Sequence, residues 1–144
     1  MEKFITLVDN KVVATQIAEL INKHNNLKII HTDSSILESA VQYIIEQRYV
    51  NDTLVVIGCI GIKKDQDKFC TIQHLCVKEG YRNQGIATKL LNAVTDYADA
   101  EYVKASVRHD NMASLKLLKK LKFTAYDCLA KDDYFILKVS KKLK

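Results

Sequence analysis

Apolar and polar positions alternate in runs short enough to mark the elements of the chain. Phe4 to Val8 is a brief apolar stretch that predicts a strand. Asp9 or Asn10 can cap the helix that follows, where Val13, Ile17, Leu20, Ile21 and His24 share a face. Asn25-Asn26 ends that helix, and Leu27 to His31 reads as a short extended segment. A second helix is predicted from about Ser34–Ser35. Ser35 and Glu38 are spaced as a capping box, and Leu37, Ala40, Val41, Ile44 and Ile45 supply its apolar face. Asn51-Asp52 is a turn signal between Tyr49-Val50 and a strand from Thr53 to Ile62. The polar stretch Lys63 to Lys68 turns the chain back into a strand over Phe69 to Val77. A helix from Gly85 to about Ala98 leads to a strand over Tyr102 to Val107. The next helix runs from Asn111 to about Leu121, with Met112, Leu115, Leu118 and Leu121 on one side. Strands over Phe123 to Leu129 and Tyr134 to Val139 close the chain around Ala130 to Asp133. Paired strands, then alternating helix and strand, then a hairpin predict an α+β fold. Its central sheet is mixed and mostly antiparallel, flanked by about four helices.

Composition narrows this picture. A chain of 144 residues, 48% of them apolar, can bury a core of its own and suits one domain spanning 1–144. There are no repeats, low-complexity tracts or linkers, and with no Pro the punctuation falls to Gly, Asn and Asp. The longest apolar stretch, Leu54 to Ile62, suits a buried strand rather than a membrane span. MEKFITLVDN lacks the apolar core and cleavage site of a signal peptide, so a cytoplasmic location is the default. Cys59, Cys70, Cys76 and Cys128 make no C-x-x-C pair and no zinc spacing. Each is expected to be a small buried residue of a strand, and no metal site is expected. The net charge of +5 allows an anionic partner. The basic residues, however, gather at Lys116 to Lys122 and Lys138 to Lys144, as on a solvated helix face and a frayed end. No aromatic–basic interleaving or reader motif supports nucleic-acid binding.

The chemistry concentrates in IQHLCVKEGYRNQGIATKLL, Ile72 to Leu91. A buried strand ends at Val77, a polar turn follows, and a helix opens at Gly85 with Ile86, Leu90, Leu91 and Val94 on one face. Gly85 has no Cβ, so its backbone can take unusual dihedrals and admit a ligand closely; Ala87 obstructs little. The unpaired amides of a helix's first turn and the positive end of its dipole make this an anion cradle that suits a pyrophosphate.

Arg82, Gly85 and Ala87 resemble the Gln/Arg-x-x-Gly-x-Gly/Ala loop of the GNAT superfamily of acyl-CoA-dependent N-acetyltransferases. The order of elements resembles the GNAT fold along the whole chain. A second motif agrees: Asn111 and Ser114 match the family's Asn-x-x-Ala/Ser, and Phe123 its terminal Phe. The resemblance implies direct acetyl transfer from acetyl-CoA to a primary amine. Pantetheine would add like a strand on Leu75, Cys76 and Val77, where the family's neighbouring strands splay. Pyrophosphate would rest on the amides of Asn83, Gln84, Gly85, Ile86, Ala87 and Thr88, aided by Arg82 and the Thr88 hydroxyl. An N–H near Cys76 or Val77 would stabilise the oxyanion. Asn111, with Ser114, would hold the pantetheine arm, although an Asn there also suits a helix cap.

Other positions depart from the family pattern. The Tyr that often protonates the leaving thiolate is Leu118, and Lys122 replaces a Gly before the terminal Phe. The places where bases often stand hold Thr71, Gln73 and Ser106. The catalytic set is therefore open, with Gln73, His74, Ser106 and Tyr126 as candidates. Strand alternation would put His74 on the face opposite Gln73. His109 and Asp110 precede Asn111, and Tyr134 is a further proton-donor candidate. The acceptor is an amine on a small molecule or peptide, and a homodimer is left open. A non-catalytic acyl-CoA-binding or regulatory module is the alternative, and a basic nucleic-acid or protein binder the third reading.

Overall fold

The chain order is β1 (Phe4–Thr6), α1 (Lys11–His24), α2 (Asp33–Glu38), β2 (Gln42–Val50), β3 (Thr53–Lys64) and β4 (Phe69–Val77). Then come α3 (Ile86–Tyr97), β5 (Tyr102–Arg108), α4 (Met112–Lys120), β6 (Thr124–Ala130) and β7 (Phe135–Lys142). The structure is a computed structural model and describes residues 4–6, 11–24, 30–65 and 68–143. The predicted Asp9/Asn10 cap, the Asn25-Asn26 stop and most of the Leu27–His31 segment lie outside the described residues.

Asn51 and Asp52 both adopt positive φ, 51° and 64°. A two-residue type I′ hairpin needs this backbone, and Asn and Asp tolerate it well. The turn sets Val50 opposite Thr53 and carries an antiparallel register along β2 and β3. The second helix is corrected at its far end. It is only Asp33–Glu38, and its capping box is Thr32 with Ser35 rather than Ser35 with Glu38. Thr32 Oγ1 accepts from the Ser35 amide at 3.1 Å, and Ser35 Oγ accepts from the Thr32 amide at 2.9 Å. Ile44 and Ile45, expected on that helix, stand in β2 between β1 and β3. Apart from half-buried Gln42, Val41 to Ile45 is β-branched or aromatic, and Tyr43, Ile44 and Ile45 are buried on both faces of the sheet. Such a run satisfies helical spacing without being helical.

The fold is α+β, with a mixed, mostly antiparallel sheet and, among the described residues, four helices, and it gathers into two compact units. In residues 1–63 and 74–97 the strand order is β1-β2-β3-β4. One face of this sheet is covered by Ala14, Ile17 and Ile21 of α1 and Ile36 of α2, packed with Tyr43, Ile45, Val56, Cys59 and Cys76. The predicted face of α1 is therefore right; nothing is described of the His24 side chain. Gly58 instead meets α3. A Cβ there would lie 3.0 Å from Ile86 Cγ2 and 3.2 Å from Leu90 Cδ1. The Tyr97 hydroxyl of α3 also donates to Gln42 Oε1.

In residues 64–73 and 98–144 the order is β4-β5-β7-β6. β5 runs parallel to β4 over Phe69–Thr71 against Tyr102–Lys104, and antiparallel to β7 along its length. Val103, Ala105, Val107, Leu118, Phe123 and Val139 are buried here. Two expectations fail for one reason, a lack of neighbours. Met112 of α4 is 58% exposed, off the face centred on Leu118. Cys128 is exposed, because β6 is the edge strand and every residue of it is exposed. Cys59, Cys70 and Cys76 are buried as expected.

Candidate active site

β4 does not alternate cleanly to its end. His74 has φ +57°, a left-handed residue within the strand, so simple alternation does not place its side chain. Such a conformation costs on the order of 1 kcal/mol or more and persists where neighbours fix it. Here the Tyr43 hydroxyl lies 3.0 Å from His74 Nδ1, and Cys59 Sγ donates to the His74 carbonyl at 3.4 Å. Leu75, Cys76 and Val77 complete the strand, and the Lys78 amide bonds the Ile57 carbonyl at 2.7 Å.

The turn that follows is built from left-handed residues. Gly80, Asn83 and Gly85 have φ of 92°, 61° and 79°. The Tyr81 amide donates to Lys78 O at 3.0 Å, and Arg82 Nε donates to the Val77 carbonyl at 3.1 Å. Arg82 thus braces the turn against the strand end while bringing a cation to it. Gln84 Nε2 reaches the Gly80 carbonyl at 3.5 Å. At Gly85 the positive φ favours glycine, and no atom lies within 4 Å of where a Cβ would stand. The space over the turn is open. The first bond of α3 is Lys89 N–H to Gly85 O at 3.0 Å, so the amides of Ile86, Ala87 and Thr88 have no intrahelical acceptor. Buried Ile86, Leu90, Leu91 and Val94 fix the helix beneath this row of donors. Asn83 to Thr88 therefore form one continuous stretch of backbone suited to an anion.

Asn111 is the N-cap of α4, its Oδ1 accepting from the Ser114 amide at 3.3 Å. The cap uses the oxygen and leaves the Nδ2 amino group outside it. Leu118 is 4% exposed, an apolar side chain with no proton to give. Ser106 stands on β5 opposite Lys138 of β7, and Tyr126 is 54% exposed beside the β6 irregularity. Arg108 holds Asp110 in a two-point pair at 3.1 and 2.9 Å, which keeps the Asp110 carboxyl below its ordinary range. The Arg108 guanidinium also lies 4.0 Å from the Tyr134 ring centroid. His109 Nδ1 accepts from the Phe135 amide at 2.9 Å and lies 3.2 Å from the Phe135 carbonyl.

Gln73 and His74 are consecutive on β4, and of the two only His74 carries a titratable side chain. Burial, and then the nearby His31, push His74 down to about 4. Burial raises the Tyr43 phenol, so the phenol is the donor and His74 Nδ1 the acceptor. His31 was not singled out in the sequence; its ring centroid is 4.9 Å from that of His74, edge to face. The spacing of His31 before the Thr32–Ser35 box is visible in the sequence, whereas its approach to β4 is a product of the tertiary fold. Among the described residues no group of three or more His, Cys, Asp or Glu could hold a metal ion. Among the described residues no helix is long and apolar enough to cross a membrane.

The family model for the acetyltransferase (GNAT) family matches residues 8–123, and the chain belongs to that family. Solved structures share its fold at low identity. Salmonella typhimurium yncA, solved with acetyl-CoA, has a TM-score of 0.81 and 15% identity over 99% of this chain and 94% of its own. An aminoglycoside 6'-N-acetyltransferase complexed with coenzyme A gives 0.79 and 13% over 100% and 98%. The NatC complex bound to Gag peptide and CoA contains a chain at 0.79 and 18% over 99% and 98%. No curated protein matches by sequence.

Proposed function

We propose that the protein transfers an acetyl group from acetyl-CoA directly to a primary amine, and that residues 1–144 act as one such domain. The observation that carries this reading is the open left-handed turn at Gly85, set over the three acceptor-less amides that start α3. The pyrophosphate sits on Asn83 to Thr88, with Arg82 beside it. Pantetheine bonds the backbone of Leu75 to Val77, past the last β4–β5 pair at Thr71. Asn111 offers its Nδ2 amino group to the arm, and the Ser114 hydroxyl stands one turn on. An N–H near Cys76 or Val77 polarises the thioester carbonyl. The cofactor brings the reactive acyl group; the chain positions it and stabilises charge.

Thermal unfolding with and without acetyl-CoA tests the cofactor. At a hundred times the dissociation constant the ligand adds about 2.7 kcal/mol, a midpoint rise of roughly 6 to 11 °C. Gly85→Glu places bulk and negative charge on the cradle and abolishes that rise. Release of CoA thiol that depends on an added amine tests transfer. Buried Leu118, standing where the family often has its acidic Tyr, favours a second reading, a non-catalytic acyl-CoA-binding module. That reading requires the thermal shift without any thiol release.

A further inference from the structure

His31 is held more firmly than a residue outside any helix or strand needs to be. Asn22 of α1 grips its backbone at two points: Nδ2 donates to the His31 carbonyl at 2.7 Å, and Oδ1 accepts from the His31 amide at 2.8 Å. Its ring is set by Ser35 of α2, with Nδ1 3.3 Å from Oγ. The Ser35 hydroxyl already donates its hydrogen to the Thr32 carbonyl at 3.0 Å. With that hydrogen on the shorter of its two contacts, Ser35 Oγ accepts from the imidazole, which puts the proton on His31 Nδ1 and the lone pair on Nε2. Among the described residues no group donates to that Nε2.

His74 is arranged the opposite way. Its Nδ1 lone pair accepts from Tyr43, so its Nε2 carries hydrogen. The two rings meet edge to face, and His74 is itself the left-handed residue that immediately precedes Leu75. Of the two imidazoles only His31 has a lone pair left for a proton. The groups bonded to the pair are the Tyr43 phenol from β2 and the Ser35 hydroxyl from α2, while Cys59 of β3 donates to the His74 carbonyl and stands with Cys76 of β4 beside Tyr43. Asp33 of α2 is paired with Lys11 at 3.8 Å.

We propose that His31 Nε2 is the general base that takes the proton from the acceptor ammonium, with His74 and Asn22 as positioning residues. This rests on the acetyl-transfer reading above. The acceptor R–NH3+ gives one proton to His31, which becomes imidazolium. The freed nitrogen lone pair attacks the thioester carbonyl, and a C–N bond forms as the C–S bond breaks. The second nitrogen proton leaves with the thiolate as CoA thiol, and His31 later returns its proton to water. A charge on His31 is felt at His74, so the second ring stays neutral during the transfer.

The test measures amine-dependent CoA thiol release by wild type and His31→Gln across pH 5 to 10, using spermidine, kanamycin and a peptide with a free α-amino group. The acetyl-CoA thermal shift is measured on both proteins. The expected result for His31→Gln is an unchanged shift and a kcat/KM about 100-fold lower or more near neutral pH. Its rate then climbs with pH until the acceptor amine itself is neutral, whereas the wild type levels off earlier. An unaltered pH profile and rate in His31→Gln overturn the assignment while acetyl transfer stands. No thiol release from wild type with any of the amines overturns both. Should His31→Gln not fold, wild-type protein is carbethoxylated with diethyl pyrocarbonate and mapped by mass spectrometry. Turnover must then fall in step with modification of His31, and activity surviving its full modification overturns the assignment.

Discussion

Single side chains decide which groups can move protons. His74 illustrates the sign of such an effect. Its folded-state pKa of about 4 lies below the ordinary histidine value near 6.5, so between these values the unfolded chain binds more protons. The stability that comes with a neutral His74 is fully present above pH 6.5 and is lost as pH falls toward 4. Because the ring is only partly buried, about 2 kcal/mol is the expected scale. Unfolding midpoints followed from pH 7 to pH 4 should fall more steeply in wild type than in His74→Gln. Equal slopes would mean that the ring is solvated in the native state. Little of this was legible beforehand: alternation placed His74 by rule, and the left-handed φ that breaks the rule has no signature in IQHLCV. Leu118 was legible. An apolar residue at that position excludes a proton donor from the sequence alone, and its burial agrees.

Elements succeed where local chemistry and tertiary environment agree. The Asn51-Asp52 hairpin, the β4–turn–α3 unit and the cap at Asn111 were all readable, because turn residues and caps act over a few positions. The β2 strand was misread because strands buried on both faces carry no period of their own. Gly58 shows how one element sets another. Its missing Cβ lets α3 lie directly on β3, and α3 carries the amides proposed as the anion cradle. Gly58→Val should displace Ile86 and Leu90 and cost about 1 to 3 kcal/mol in overpacking. The acetyl-CoA shift should shrink as well, because the helix end moves with its first buried residue. A variant destabilised to that extent but with a full ligand shift would show that the cradle does not depend on this contact.

At the scale of the whole molecule, an excess of five positive charges meets a cofactor rich in phosphate. Association between them is steered by a field that salt screens within about 10 Å at 0.1 M. CoA affinity is expected to weaken steadily from 0.05 to 0.5 M salt, while S-acetyl-pantetheine, lacking the phosphates, is little affected. Parallel titrations by calorimetry give the comparison, and parallel salt slopes would remove the phosphates from the account. Net charge is plain in the sequence and allows any anion; the pyrophosphate reading rests on the Arg82–Ala87 loop and its resemblance, and the open space at Gly85 is consistent with it.

The exposed edge strand has a practical consequence for anyone following this chemistry by colour. Cys59, Cys70 and Cys76 are shut inside the protein, whereas Cys128 lies in the open on β6. A disulfide reagent used to trap released CoA will therefore also consume one enzyme sulfhydryl at the outset, a burst that mimics a first turnover. Cys128→Ser removes that false burst, and the unmodified residue offers a single attachment point for a fluorophore.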